Sequence, residues 1–361
     1  MNVLDRMTPC FFLSLARGCL RLLVLGVWCA GLATQAQTAS GVSDAPAASA
    51  GPERSMADWL TRLHEASRRR AYTGTLVVSS GGNMASSRIW HVCDGEKQME
   101  RVESLSGPPR STFRRNEEVI TFLPQSKVAV TERRESLGLF PNLLKAPDSA
   151  IDQFYSARLQ GVERVAGFEA DVVQLQPKDR LRFAYRIWSE KKTGLVIKLQ
   201  TLDGEGRVLE QVAFSELQMD APVSMDKLTH MMRNTEGYKV EKPELTKTSA
   251  AAEGWQLRHT VPGFKPMSCY RRPAGASTQV QGNLVQWVFS DGLASVSLFI
   301  EVFDRERHGP EGLMVMGATH TLLRRIGERG ADKEGGWWLT VVGEVPASTL
   351  QAFAQGLERK R

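Results

Sequence analysis

The chain has 361 residues, with 46 Lys and Arg against 40 Asp and Glu, a formal charge of +6. Removing a leader at 1–36 takes away Arg6, Arg17, Arg21 and Asp5, leaving 43 basic against 39 acidic residues, or +4. That mild excess permits contact with anionic surfaces. With no aromatic RNA-binding motif and no zinc-finger spacing, it excludes nucleic acid as the expected partner.

Residues 1–36 read as a signal peptide. Positive charge precedes the apolar run Leu22-Leu23-Val24-Leu25-Gly26-Val27-Trp28-Cys29-Ala30, and Thr34-Gln35-Ala36 suits a peptidase site. The run from Leu20 to Ala33 is short for a membrane span, which needs roughly 20 residues. An uncleaved anchor is the alternative. No later run is long enough to span, so the expectation is a mature protein exported to the periplasm. Residues 37–54 are rich in Ala, Ser, Thr and Gly and read as a disordered tether.

Ser55–Arg70 carries Met56, Trp59, Leu60, Leu63 and Ala66 at helical spacing, with Ser55 as N-cap and Arg68-Arg69-Arg70 at the end. Short strands follow at 72–78, 87–92, 97–105, 110–115, 119–123 and 127–132. A short helix is expected at Asp148–Tyr155. Strands resume at 157–165, 168–176, 181–189, 194–202 and 207–218, with Asp203-Gly204-Glu205-Gly206 as a hairpin turn. About eleven strands with few helices predict one large antiparallel curved sheet over 55–218.

Residues 219–252 are polar and carry Pro222 and Pro243; they read as a linker with a short helix at Met225–Arg233. A smaller α+β domain is expected over 253–358. Its strands are predicted at 256–259, 264–271, 282–289, 294–303, 313–317, 319–326 and 337–342. A closing helix is predicted at 346–357. Asp291-Gly292 between β-prone runs predicts a tight hairpin.

No catalytic or phosphate-binding motif has the right context, and the six histidines share no metal-ligand spacing. No enzyme activity, metal or cofactor is expected. Cys93 and Cys269 are the cysteines outside the leader. They either pair in an oxidising compartment, stapling the two domains, or act as small buried hydrophobes.

Binding features are clearer. A curved sheet with few covering helices can line an apolar cavity for acyl chains or peptide side chains. The candidate lining residues are Tyr72, Leu76, Val78, Trp90, Met99, Phe122, Phe154, Phe183, Tyr185 and Trp188, each of which could equally be ordinary core. Arg110, Arg114 and Arg115 form a candidate anion contact, or else solvated strand-edge charges. For a protein partner, the candidates are Lys239 and Lys242 in the linker, and Trp287, Phe289, Asp291, Phe299 and Phe303 as exposed positions of the second domain, several of which could equally be that domain's own core.

Several short motifs occur in a shared order over the mature chain. They are Asp58-Trp59-Leu60, Tyr72-Thr73-Gly74-Thr75, Ser87-Arg88-Ile89-Trp90-His91, Glu100-Arg101-Val102-Glu103-Ser104-Leu105-Ser106-Gly107 and Phe140-Pro141. Then come Glu163-Arg164-Val165-Ala166-Gly167, Pro177-Lys178-Asp179 and Tyr185-Arg186-Ile187-Trp188. Pro262-Gly263-Phe264, Ser290-Asp291-Gly292-Leu293-Ala294-Ser295, Gly317-Ala318-Thr319 and Val341-Val342-Gly343-Glu344-Val345-Pro346 complete the set. In these the chain resembles the RseB/MucB family of periplasmic negative regulators of an envelope-stress sigma factor.

The resemblance implies a large unclosed β-barrel like the lipoprotein carriers LolA and LppX, plugged by helices, and a small α+β domain that grips a protein. It implies as partner the periplasmic segment of a single-span anti-sigma factor of the RseA/MucA type, shielded from site-1 proteolysis. Lipopolysaccharide or a related lipid would release it, and self-association is a further implied property. A LolA-type carrier of lipid or lipoprotein is the alternative function.

Overall fold

The helix α1 (Met56–Arg69) forms because its apolar residues recur at 3.6-residue spacing: Trp59, Leu60, Leu63 and Ala66 are all buried. Asp58 in its first turn and Arg68 and Arg69 in its last suit the helix dipole. The structure is a computed structural model that describes residues 56–95, 97–133, 151–243, 245–272, 284–327 and 335–360. The expected leader, the tether, the Ser55 cap, Phe140-Pro141 and the start of the second helix lie outside these.

Eleven strands follow α1. They are β1 (Tyr72–Ser80), β2 (Asn83–Asp94), β3 (Lys97–Ser104), β4 (Ser111–Arg115), β5 (Glu118–Leu123) and β6 (Val128–Arg133). After the one-turn helix α2 (Ile151–Phe154) come β7 (Tyr155–Val165), β8 (Phe168–Pro177), β9 (Ala184–Glu190), β10 (Val196–Leu202) and β11 (Val208–Met219). With a short later strand, β12 (Lys239–Glu241), the sheet order is β12-β6-β5-β4-β3-β2-β1-β11-β10-β9-β8-β7. Two meanders are thus joined where β1 pairs β11. The sheet stays open, with β7 at one edge. Along β1 every second residue is buried, as a strand with one face on a core requires. The fold class is α+β, mainly β.

The polar segment after β11 is built into both sheets. Helix α3 (Met225–Arg233) is capped by Ser224, whose hydroxyl accepts from the Lys227 N–H at 3.2 Å. It buries Leu228 and Met232 against Val92, Met99, Phe113 and Phe122. β12 (Lys239–Glu241) then adds in parallel to β6, while β13 (Thr246–Lys247) joins the second sheet. Strands of two or three residues carry no readable alternation.

The second sheet holds β15 (Lys265–Arg272), β16 (Leu284–Ser290), β17 (Ser295–Val302), β18 (Gly312–Met316), β19 (Thr319–Ile326) and β20 (Trp337–Gly343). Its order is β13-β15-β16-β17-β20-β19-β18. β16 and β17 form the hairpin expected at Asp291-Gly292, with Ser290 opposite Ser295. Helix α4 (Ala347–Gly356) covers one face, placing Leu350 and Phe353 among Val285, Val296, Leu298, Ile300, Leu339 and Val341. β14 (Trp255–Leu257) and β21 (Leu357–Arg359) pair beside it. Cys93 and Cys269 are both free thiols.

Candidate functional site: the junction between the two sheets

The expected strand at Leu181 begins only at Ala184. The three preceding residues leave the ladder to meet the second sheet. Arg182 lies at the centre, its side chain fully buried. Its Nε donates to Asp291 Oδ2 at 2.7 Å, one Nη to Asp179, and the other Nη to the Pro262 carbonyl at 2.6 Å. Its guanidinium also lies 4.3 Å from the Phe154 ring centroid and 4.9 Å from that of Phe264. All three guanidinium nitrogens donate, two of them to carboxylates, and two aromatic rings lie against the group, so the buried cation is compensated.

Asp291 serves two tasks. Its Oδ1 accepts the Leu293 and Ala294 N–H groups at 2.9 and 2.8 Å, closing the β16–β17 turn, while Oδ2 takes Arg182. Gly263 has φ +81° and packs directly against Arg182, where a Cβ would overlap the guanidinium. Thr349, in the first turn of α4, donates to the Leu181 carbonyl at 2.7 Å. Leu293 packs into the large sheet's cluster around Trp59, Leu63 and Tyr185, and Leu181 into that of the small sheet.

A second contact lies at the far end of β1. Gly317, with φ +59°, closes on Ser80 so tightly that any Cβ would overlap the serine hydroxyl. Ser80 donates to Glu210 Oε2 at 3.1 Å. Burial, and then the charge of Glu344 just beyond β20, raise the Glu210 carboxyl to about 7, against the pull of Ser80 and the Ala318 N–H. Phe183 meets His320 edge-to-face at 5.5 Å, and burial lowers the His320 pKa. A groove of about 390 Å³ opens here, lined by Ser79, Ser80, Gly81, Gly82, Val208, Leu209, Val315 and Gly317.

The sequence candidates distribute as follows. Tyr72, Leu76 and Trp188 sit in one packed cluster, Met99, Phe122 and half-buried Trp90 in a second, and Tyr185 with half-buried Phe154 in a third. Val78 is buried elsewhere and Phe183 lies in the junction. Arg114 and Arg115 are adjacent on β4, so they point to opposite faces and do not form one cluster with Arg110. Arg114 donates to the Asn116 carbonyl at 2.9 Å.

Lys239 and Lys242 are exposed, and Lys239 pairs with Glu241 at 3.1 Å. Phe299 is half-buried on the sheet face away from α4, and Phe303 stacks near His308 and Trp338. Two expectations of exposure are corrected. Phe289 is core, packed 4.9 Å from Phe353, because it faces α4. Asp291 is buried because it holds Arg182. Trp287, half-buried, shares the α4 face with Phe289.

Arg182 itself was not singled out from the sequence. The available signal was a charged residue between Leu181 and Phe183, three positions after Asp179. In space, motifs scattered over the chain converge here: Asp179, Pro262-Gly263-Phe264, the Ser290–Ser295 turn, Gly317-Ala318 and Glu344.

Comparison with known proteins agrees with this two-part organisation. Residues 55–232 match the family model described as the MucB/RseB N-terminal domain, and residues 249–358 that described as the MucB/RseB C-terminal domain. The sigma factor AlgU regulatory protein MucB of Pseudomonas aeruginosa is 28% identical over 337 residues, 92% of this chain and 95% of that protein. The sigma-E factor regulatory protein RseB of Haemophilus influenzae is 25% identical over 302 residues, 82% and 89% of the two chains. Among solved structures, MucB in complex with MucA(peri) is 25% identical with a TM-score of 0.63, covering 85% of this chain and all of that one (100%). The complex of P. aeruginosa MucA and MucB gives a TM-score of 0.64 at 25% identity, covering 84% and 99%. With both domains present in order, the chain belongs to the MucB/RseB family.

Proposed function

We propose that this chain is an exported regulatory protein that binds the periplasmic segment of a single-span anti-sigma factor of the RseA/MucA type. By occupying that segment it shields the anti-sigma factor from site-1 proteolysis and so represses an envelope-stress sigma factor. A lipid such as lipopolysaccharide relieves the binding. The protein acts by association, without catalysis, from the periplasm, to which the leader at 1–36 directs it.

The observation that carries this reading is the match, over nearly the whole described chain, to a MucB captured with its MucA segment. The junction supports it further. Arg182 and Asp291, with the Thr349–Leu181 and Gly317–Ser80 contacts, join the two sheets, and strand edges remain for a partner. No helix of the described residues is long and apolar enough to cross a membrane.

Isothermal calorimetry of the mature chain against the periplasmic segment of the cognate anti-sigma factor tests the reading. A one-to-one complex of micromolar or tighter affinity is expected; absence of heat at high concentration would reject it.

A further inference from the structure

Unpaired strand edges invite other chains, and proteins guard them with charge, proline, bulges or brevity. Among the described residues, three of the four edges of the two large sheets are guarded. β7 carries Arg158, Glu163 and Arg164 and is bulged between Leu159 and Gly161. β12 is three residues long, with Lys239 and Glu241. β13 has two residues.

The fourth edge, β18, is Gly312-Leu313-Met314-Val315-Met316. It has no charge, no proline and a ladder to β19 without a register shift. Its side chains are open to solvent: Leu313 is 43%, Met314 45% and Val315 59% exposed. The strand alternates, so Leu313 and Val315 project on one face and Met314 on the other. It ends at the 390 Å³ groove, to whose lining Val315 and Gly317 both contribute.

We propose that β18 is a docking edge to which an extended segment of the anti-sigma factor adds as an eighth strand, its leading side chains entering the groove beside Val315. This rests on the regulatory reading above and names the surface it uses. The occupant is an extended peptide rather than a second copy of this chain. Gly317 brings the end of β18 against Ser80 of the large sheet, so a globular neighbour would meet that sheet before its own strand reached the edge. Main-chain hydrogen bonds would supply affinity, and alternating apolar side chains would supply selectivity. The other end of the edge carries both signs of charge: exposed Arg324, one residue beyond the Gly312–Leu323 pair, and exposed Glu311, which accepts the Arg325 N–H at 2.9 Å.

The test uses the mature chain and a synthetic peptide of the cognate periplasmic segment. Amide exchange is followed across 312–316, and affinity is measured for wild type and for the double variant Leu313→Lys, Val315→Lys. Both positions are exposed, so the fold should be kept, which circular dichroism verifies. The expected results are new protection confined to the β18 amides on binding, and at least a tenfold loss of affinity in the variant. Wild-type binding with unchanged exchange in β18 and equal affinity in the variant would overturn this inference and leave the regulatory reading intact. Protection of β18 that grows with protein concentration, without peptide, would overturn it in favour of self-pairing. Failure of wild type to bind the peptide at all would overturn the regulatory reading, and this inference with it.

Discussion

Replacing Arg182 by Ala removes the cation that joins the two sheets. Asp291 would keep its two turn amides, but its carboxylate would remain buried without a counter-charge. Breaking a buried pair from one side costs about 3–5 kcal/mol. The stacking over Phe154 and Phe264 adds roughly 0.5–2 kcal/mol per face, partly counted in the first figure. A loss of about 4 kcal/mol corresponds to roughly three decades in a local opening equilibrium. The assay is amide exchange at Leu293 and Ala294, whose N–H groups bond Asp291, together with the denaturation midpoint. Exchange should rise about a thousandfold at those amides. The double variant Arg182→Met, Asp291→Asn should cost clearly less than the two single changes combined, because no unpaired charge remains. A change below about 1 kcal/mol in Arg182→Ala, or strict additivity in the double variant, would refute the role given to this pair.

Four further outcomes follow from the same geometry. Glu210 has a folded-state pKa of about 7 against 4.5 for an ordinary glutamate, so the native state holds its proton more tightly than the unfolded chain. Its contribution is therefore fully present below about pH 4.5 and lost as pH rises to about 7, a swing of up to about 3 kcal/mol. Thermal melts of Glu210→Gln should lose that pH dependence, and an unchanged profile would contradict the assignment. Gly317→Val should destabilise by about 2 kcal/mol or more, through strain at φ +59° and overlap with Ser80; Ser80→Gly should restore only the second part, as denaturant titration would show. Phe353→Ala empties a fully buried site under α4 and should cost about 3–5 kcal/mol in the same titration. Neutralising Lys239 and Lys242 to Gln should flatten the salt dependence of association with the anti-sigma segment; an identical slope would remove them from the encounter.

How much of this could be read from the residues depends on the range of the interaction. The alternation in Tyr72–Ser80 and the helical spacing in Met56–Arg69 are local signals, and both elements form where the pattern places them. Met225–Arg233 is likewise set by Ser224 and a short amphipathic run. β12, β13 and β21 were invisible because strands of two or three residues exist only through their partners. Asp291 shows the boundary most clearly. Asp-Gly between β-prone runs announces a tight turn, and that turn is present. Nothing local tells that the second carboxylate oxygen faces an arginine 109 positions upstream, so an acidic loop tip reads as exposed when it is buried. Phe289 reads the same way, since strand parity gives two faces but not which one a helix covers. Arg114 and Arg115 illustrate the converse, because neighbours in sequence become strangers across a sheet.

Restraint of the anti-sigma factor is tested most directly by its cleavage. The periplasmic segment of the cognate anti-sigma factor is incubated with its site-1 envelope protease, with and without an excess of the mature chain, and the rate of first cleavage is measured. The account predicts slowing of at least tenfold, relieved by added lipopolysaccharide. Cleavage at the same rate with a bound complex present would show that the chain binds without shielding, and would contradict the regulatory mechanism.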